Sequence, residues 1–202
     1  QMIDILEANF QKQEDFASDA SHELKTPLTV IESYSSLLKR RGMDNPKLFE
    51  ESVEAIHSEA LRMREMTEQL LMLARPHEKW DIHVEKFSIK PFVNDVAKTF
   101  EKAFNRTIHT EFEKDVEIES DKQKLKQLLF IFLDNARKYS EEDIKLTVGE
   151  ENGKGFIRIS DRGIGIPRED LPKVFDRFFR VDKARSRQQG GTGLGLSLAK
   201  EL

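Results

Sequence analysis

Along the first forty positions, apolar and small residues recur at alternating spacings of three and four: Ile3, Leu6, Phe10, Ala17, Ala20, Leu24, Ile31, Tyr34 and Leu38, with Gln13 and Pro27 completing the series. This is the period of a helix packed along a seam. The pattern stops near Gly42, and Asp44-Asn45-Pro46 supplies turn chemistry. A second seam follows with the same alternation: Phe49, Val53, Ile56, Ala60, Met63, Thr67, Leu70, Ala74. It runs to about Arg75-Pro76, where proline ends the helical reading. Two long amphipathic helices joined by a short turn predict an antiparallel hairpin. One hairpin leaves half of each apolar stripe wet, so a homodimeric four-helix bundle is the expected solution. The same pattern also serves a purely structural coiled coil. No N-cap precedes Ile3 and the seam is already running there, so a helix entering from upstream is expected.

Periodicity lapses between Arg75 and Trp80, which places a domain boundary near Pro76–Asp81. The expected domains are therefore 1–76 and 81–202. Beyond the lapse the pattern predicts a strand at Glu85–Ile89, a helix at Phe92–Phe104 and strands at Ile108–Glu113 and Val116–Ser120. A long helix is expected from about Asp121 to Tyr139, then strands Ile144–Glu150 and Gly155–Ser160 joined through a hairpin signal at Asn152-Gly153. This order of elements predicts an α+β sandwich with helices on one face.

Composition narrows the function. With 33 Lys+Arg against 37 Asp+Glu the net charge is −4, which argues against a nucleic-acid-binding domain. The chain has no cysteine, so disulfides, thiolate metal sites and cysteine nucleophiles are excluded. The longest apolar runs, such as Leu128–Leu133, are too short to span a bilayer, so these residues are expected not to be membrane-embedded.

Four segments carry candidate chemistry. On the first helix, Ser21-His22-Glu23-Leu24-Lys25-Thr26-Pro27-Leu28 places His22 at the outermost heptad position, facing solvent, with Thr26 one turn on. Pro27 has no N–H, which strips the Glu23 carbonyl of its helical partner and predicts a bend just past the histidine. An interior proline costs a helix about 3 kcal/mol, which dimerisation alone does not explain. His57, His77, His83 and His109 lack such neighbours and read as surface residues.

The second segment is Asp134-Asn135-Ala136-Arg137-Lys138-Tyr139, where Asn135, Lys138 and Tyr139 share one helix face. An amide oxygen suits Mg²⁺, and a lysine is a point charge for phosphate. The third, Asp161-Arg162-Gly163-Ile164-Gly165, follows a strand; its carboxylate can accept from an exocyclic amine such as adenine's, and its glycines let the backbone turn. The fourth, Gly190-Gly191-Thr192-Gly193-Leu194-Gly195-Leu196, opens a helix with successive N–H groups able to cradle an anion. Between the last two lie Phe175, Phe178 and Phe179 among Arg177, Arg180, Lys183, Arg185 and Arg187, which read as a basic lid.

In this order the segments resemble a sensor histidine kinase of two-component signalling. Ser21–Leu28 is similar to the phosphoacceptor motif of the HisKA-type dimerisation domain, and the later segments, with Phe175–Arg180, are similar to the ATP-site motifs of the Bergerat-type (GHKL) fold. The resemblance implies an α-helical hairpin forming a dimeric four-helix bundle, followed by an α+β (α/β sandwich) ATP-binding domain. It implies that His22 accepts the γ-phosphoryl group of ATP, that Glu23 orients or deprotonates its imidazole, and that Thr26 positions water when a partner is dephosphorylated. Asn135 then matches the Mg²⁺ ligand, Lys138 a phosphate contact and Tyr139 a residue beside the nucleotide. Asp161 matches the adenine-reading carboxylate, Gly163 and Gly165 the turn behind it, and Arg180 the lid cation. Gly191, Thr192, Gly193, Leu194 and Gly195 match the turn at the triphosphate. The implied partners are a second copy of the chain and the receiver domain of a response regulator, and the implied setting is the cytoplasmic portion of a membrane-anchored bacterial sensor.

The residue types suit that chemistry, since phosphoryl transfer depends on positioning and charge neutralisation by a metal, Lys and Arg. An exposed imidazole is largely neutral at pH 7 and can attack, while a neighbouring carboxylate steadies the charge that develops. Acceptor and ATP site lie on different domains, so the domains must meet for each transfer, with the hinge expected at the lapse near Pro76. Two departures stand out. Ile131 occupies the place where many relatives carry a further Asn, and the chain ends at Leu202 inside the final helix, where relatives continue with more sheet. The alternatives are a GHKL-type ATPase without phosphohistidine, which leaves Ser21–Leu28 unexplained, and a non-enzymatic dimeric scaffold.

Overall fold

Helix-forming stretches with opposite wet and dry faces account for the N-terminal part of the chain, and shorter alternating stretches for the rest. In the computed structural model, which describes residues 2–41, 45–75, 81–114, 116–152, 154–182 and 190–202, these form two compact units, Gln1–Arg75 and Pro76–Leu202.

The first unit is a pair of helices, α1 (Met2–Arg41) and α2 (Pro46–Ala74). Helix α1 runs unbroken across Pro27, whose ring is fully buried. Helix α2 starts on the Asn45 side chain, which accepts the Leu48 N–H at 3.2 Å. Pro46 is therefore not a turn residue but the first residue of the helix, where its missing N–H has no helical duty. Gly42 and Asp44 lie outside the described residues.

Half of the second seam differs from expectation by one residue: Val53, Ala60, Thr67 and Ala74 are exposed and the residue before each turns inward, while Ile56, Met63 and Leu70 are half-buried as expected. The buried positions of α2 are Ser52, Met66 and Leu73, with Glu59 half-buried between them, a seven-residue repeat. Phe49 and Val53, expected inside, are 51% and 44% exposed. The apolar stripe is wider than the face one partner helix can cover, and the hairpin covers its neighbouring edge. Helix α1 is also longer than α2, 40 residues against 29, an excess of roughly 16 Å at 1.5 Å per residue. Leu6 and Phe10, both 63% exposed, lie in its N-terminal part.

The second unit holds β1 (Glu85–Ser88), α3 (Ile89–Phe104), β2 (Ile108–Phe112), β3 (Glu117–Ser120), α4 (Lys122–Tyr139), β4 (Ile144–Glu151), β5 (Lys154–Ser160) and α5 (Gly195–Glu201), with a 3₁₀ turn at Leu171–Lys173. Strands β1 and β3 form an antiparallel ribbon. Strands β2, β4 and β5 form a sheet in that order, β2 parallel to β4 and β5 antiparallel to it. Alternation sends Ile108, Ile144, Leu146 and Val148 to the face covered by Val93, Val96 and Phe100 of α3 and by Leu129 and Leu133 of α4. Mixed α/β architecture matches expectation, with shifted edges. Helix α3 begins at Ile89 rather than Phe92, because Pro91 in the first turn lacks only an N–H that the helix does not use. Asn105, in the left-handed conformation at φ 49°, ends it. Gly153 of the expected hairpin turn lies outside the described residues; Asn152 beside it has φ 52°.

Candidate nucleotide site and acceptor helix

His22 sits in mid-helix on α1 with its side chain exposed. Glu23 and Thr26 are half-buried. Around them small polar side chains turn back on the backbone: Ser21 donates to the Ala17 carbonyl at 2.8 Å and Thr29 to that of Lys25 at 2.9 Å. A solvent-facing imidazole one residue from a carboxylate can present a nitrogen lone pair outward.

In the second unit the site is organised by α4. Its start is secured by Asp121, which is buried and accepts the N–H groups of Gln123 (2.8 Å) and Lys124 (2.9 Å) through one oxygen and that of His83 (2.9 Å) through the other. The bond from Lys124, followed by that from His83, holds the Asp121 carboxyl below the usual carboxylate range, against the opposing effect of burial. Its end carries Asn135, Lys138 and Tyr139, all half-buried.

The two glycine segments converge on that end. The Tyr139 carbonyl accepts the Ile164 N–H at 3.4 Å, and a methyl group at Gly163 would collide with that carbonyl oxygen, so only glycine lets the loop dock there. Asp161 is exposed, and its Oδ1 accepts the Gly163 N–H at 2.8 Å, an arrangement that holds the carboxylate at the loop's edge. Lys138 Nζ donates to the Gly190 carbonyl at 3.3 Å, tying α4 to the other glycine turn, and a Cβ on Gly195 would lie 3.4 Å from the Ile131 side chain. Ile131 thus offers that turn an apolar contact.

The glycine turn itself is built on the preceding segment. Gly193, at φ +74°, accepts the Phe178 N–H at 2.8 Å, and Phe178 is itself left-handed at φ +61°. Thr192 is buried, and its hydroxyl accepts the Leu194 N–H at 3.3 Å. Arg180, expected on an open basic flap, is 9% exposed, and its Nη2 donates to the Thr192 carbonyl at 2.8 Å. It therefore supports the turn from beneath in this arrangement. Phe175 is exposed; Lys183, Arg185 and Arg187 lie outside the described residues.

Two cavities adjoin these elements. One of about 300 Å³ at the end of α4 is lined by Arg106, Arg137, Lys138 and Tyr139 among others. The other, about 620 Å³, lies on the open face of the sheet, where His109, Lys145 and Ser160 meet Asp161. Lys138 and Tyr139 line the first of these, Asp161 the second, and Asn135 neither. Among the described residues no three His, Asp or Glu side chains cluster as a metal site. Asn135, half-buried near the end of α4, offers one amide oxygen, a hard donor of the kind Mg²⁺ takes beside phosphate oxygens.

Two contributors were not anticipated. Asp134 ion-pairs with Lys138 at 2.7 Å, and the i, i+4 spacing of the two was a legible signal. The left-handed Phe178 left none, because its conformation is imposed by a residue fifteen positions away.

Comparison with known proteins agrees with this architecture. Residues 12–79 match the His Kinase A (phospho-acceptor) domain, and residues 120–202 match the histidine kinase-, DNA gyrase B- and HSP90-like ATPases. Both matches, in this order, support membership of the two-component sensor histidine kinases. The chain is 47% identical over 203 residues to the sensor histidine kinase YkoH of Bacillus subtilis, and 37% identical over 207 residues to the signal transduction histidine-protein kinase ArlS of Staphylococcus epidermidis. All of this chain is covered in both cases, but only 45% of each relative, so the chain spans less than half the length of these kinases. In fold it resembles the histidine kinase ThkA, solved in complex with the response regulator protein TrrA, with a TM-score of 0.74 over 86% of this chain and 53% of that one at 22% identity. It also resembles the Acinetobacter baumannii histidine kinase AdeS, with a TM-score of 0.64 over 89% of this chain and 84% of that one at 24% identity. No described helix is long and apolar enough to cross a membrane.

Proposed function

We propose that this chain phosphorylates itself on His22 from ATP bound in the second unit, and then passes the phosphoryl group to an aspartate of a response-regulator receiver domain. The observation that carries the reading is the exposed imidazole of His22, next to Glu23 and five residues before the buried Pro27, in the segment that matches the phospho-acceptor family. An ATPase without phosphohistidine would have no use for that segment.

In this reading, residues 1–76 are the dimerisation and phosphotransfer domain and 81–202 the ATP-binding domain. Asp161 reads the adenine amine, Tyr139 lies beside the base, and Lys138 contacts phosphate. The turn Gly191–Gly195 follows the triphosphate, with Arg180 the nearest buried cation. Asn135 holds Mg²⁺, which when bound neutralises phosphate charge. A ring nitrogen of His22 attacks the γ-phosphorus, forming an N–P bond as the bond to the ADP oxygen breaks. Glu23 orients the ring and takes up the proton lost from its other nitrogen. Thr26 positions water for the reverse duty, hydrolysis of the phosphorylated regulator. Phe49, Val53, Leu6 and Phe10, left exposed by the single hairpin, support a homodimeric four-helix bundle. Membrane anchoring of the whole protein follows the same family logic.

Incubation with γ-labelled ATP and Mg²⁺ tests the reading. The expected label is acid-labile, base-stable and absent from His22→Gln. Label that persists in that variant, or none in the wild type, overturns it.

A further inference from the structure

We propose that Asp134 is a positioning residue for phosphate recognition: it holds the Lys138 ammonium against the glycine turn, with its charge directed at the nucleotide phosphates. The proposal rests on the reading of Lys138 as a phosphate contact. Asp134 Oδ2 lies 2.7 Å from Lys138 Nζ, and the same Nζ donates to the Gly190 carbonyl at 3.3 Å. Two of the three ammonium donors are thereby directed, and one is left for a phosphate oxygen.

Ordinary i, i+4 ion pairs lie in solvent and contribute little. This one is different. The Lys138 side chain is 12% exposed and that of Asp134 27%. Asp134 is itself immobilised, because Oδ1 accepts from Arg137 Nε at 3.0 Å and Nη2 at 2.7 Å. The Arg137 guanidinium in turn lies over the Phe104 ring, 4.7 Å from its centroid. The Phe104 ring, itself packed 4.5 Å from the buried Phe100 ring, thus backs an arginine, the arginine holds a carboxylate, and the carboxylate holds the lysine.

The charges support the same assignment. Asp134, Arg137 and Lys138 together carry one net positive charge. Arg137 offsets the carboxylate, so the acid beside a phosphate site does not repel the ligand, and the positive charge of Lys138 stays uncompensated. Without Asp134 the ammonium keeps one neutral carbonyl partner in a largely desolvated place and swings toward solvent.

The test compares two ligands on the full chain by calorimetry: Mg²⁺-ADP, which carries phosphates, and adenosine, which does not. Asp134→Ala is expected to weaken Mg²⁺-ADP about tenfold or more, the scale of a lost charge-assisted hydrogen bond, while adenosine affinity stays within about twofold. Asp134→Asn, which keeps an acceptor and the local shape, is expected to recover part of the loss. On a Lys138→Ala background, Asp134→Ala should add nothing further. Equal weakening of both ligands would show Asp134 to be a mere fold support and overturn the proposal, as would unchanged or tighter Mg²⁺-ADP binding. A wild type that binds adenosine but gains nothing from phosphates overturns the assignment of Lys138 and this proposal together. A wild type that binds neither ligand overturns the nucleotide site itself.

Discussion

Gly193→Ala probes the joint on which the glycine turn is built. The residue has φ +74°, and an added Cβ would stand 2.9 Å from both the Cα and the carbonyl carbon of Phe178 and 3.1 Å from its oxygen. Left-handed backbone costs an alanine roughly 1–2 kcal/mol. Crowding against backbone adds about 1–3 kcal/mol, because Phe178 is bonded to Gly193 and has no flexible end to yield. The expected loss is about 2–5 kcal/mol. Gly165 is the matched control: it has φ +69° and nothing within 4 Å of its added Cβ, so Gly165→Ala bears the backbone term alone, roughly 1–2 kcal/mol. At about 4 °C per kcal/mol for a unit of this size, the second unit's melting transition should fall by about 8–20 °C for Gly193→Ala and about 4–8 °C for Gly165→Ala. If the turn yields locally, the difference appears instead as faster hydrogen exchange at the Phe178 amide. Calorimetry and exchange together check both routes. Equal effects of the two substitutions on both readouts would refute the idea that Phe178 and Gly193 are packed as one joint.

Two further outcomes are expected. The Asp121 carboxyl is held below its ordinary range in the folded chain, so its contribution to stability is complete above about pH 4 and disappears as pH falls through the folded value. Denaturant titrations at descending pH should show Asp121→Asn with a flatter acid limb than wild type; parallel limbs would deny that the three N–H bonds act on the charged form. Phe49→Glu with Val53→Glu places charge on the exposed edge of α2 and should convert a dimer to a helical monomer in sedimentation. A dimer that persists would place the interface elsewhere.

The hairpin was legible because its evidence is local: a three-four period, a proline at the start of α2 and another after its end. The α+β unit was legible in order, though not in its boundaries, since Pro91 marks a helix start from inside the first turn as readily as from before it. Family membership followed from four short motifs in sequence order. Within the site, Gly163 and Gly193 signalled a backbone constraint without naming what constrains them. Only the folded chain identifies the Tyr139 carbonyl and the Phe178 backbone.

By itself, then, the amino-acid order determined the periods, the breaks and the chemical types: an exposed histidine beside a carboxylate, an amide and an ammonium on one helix face, and glycines where the chain must turn. Tertiary structure decided which edge of the α2 stripe is buried, why Arg180 lies beneath the glycine turn, and how Lys138 reaches Gly190 across 52 positions of sequence. The physical reason is one of range. A period or cap is written within a few residues of itself, whereas the partner of a wide apolar stripe or of a buried cation is selected by packing between segments that the chain brings together only on folding.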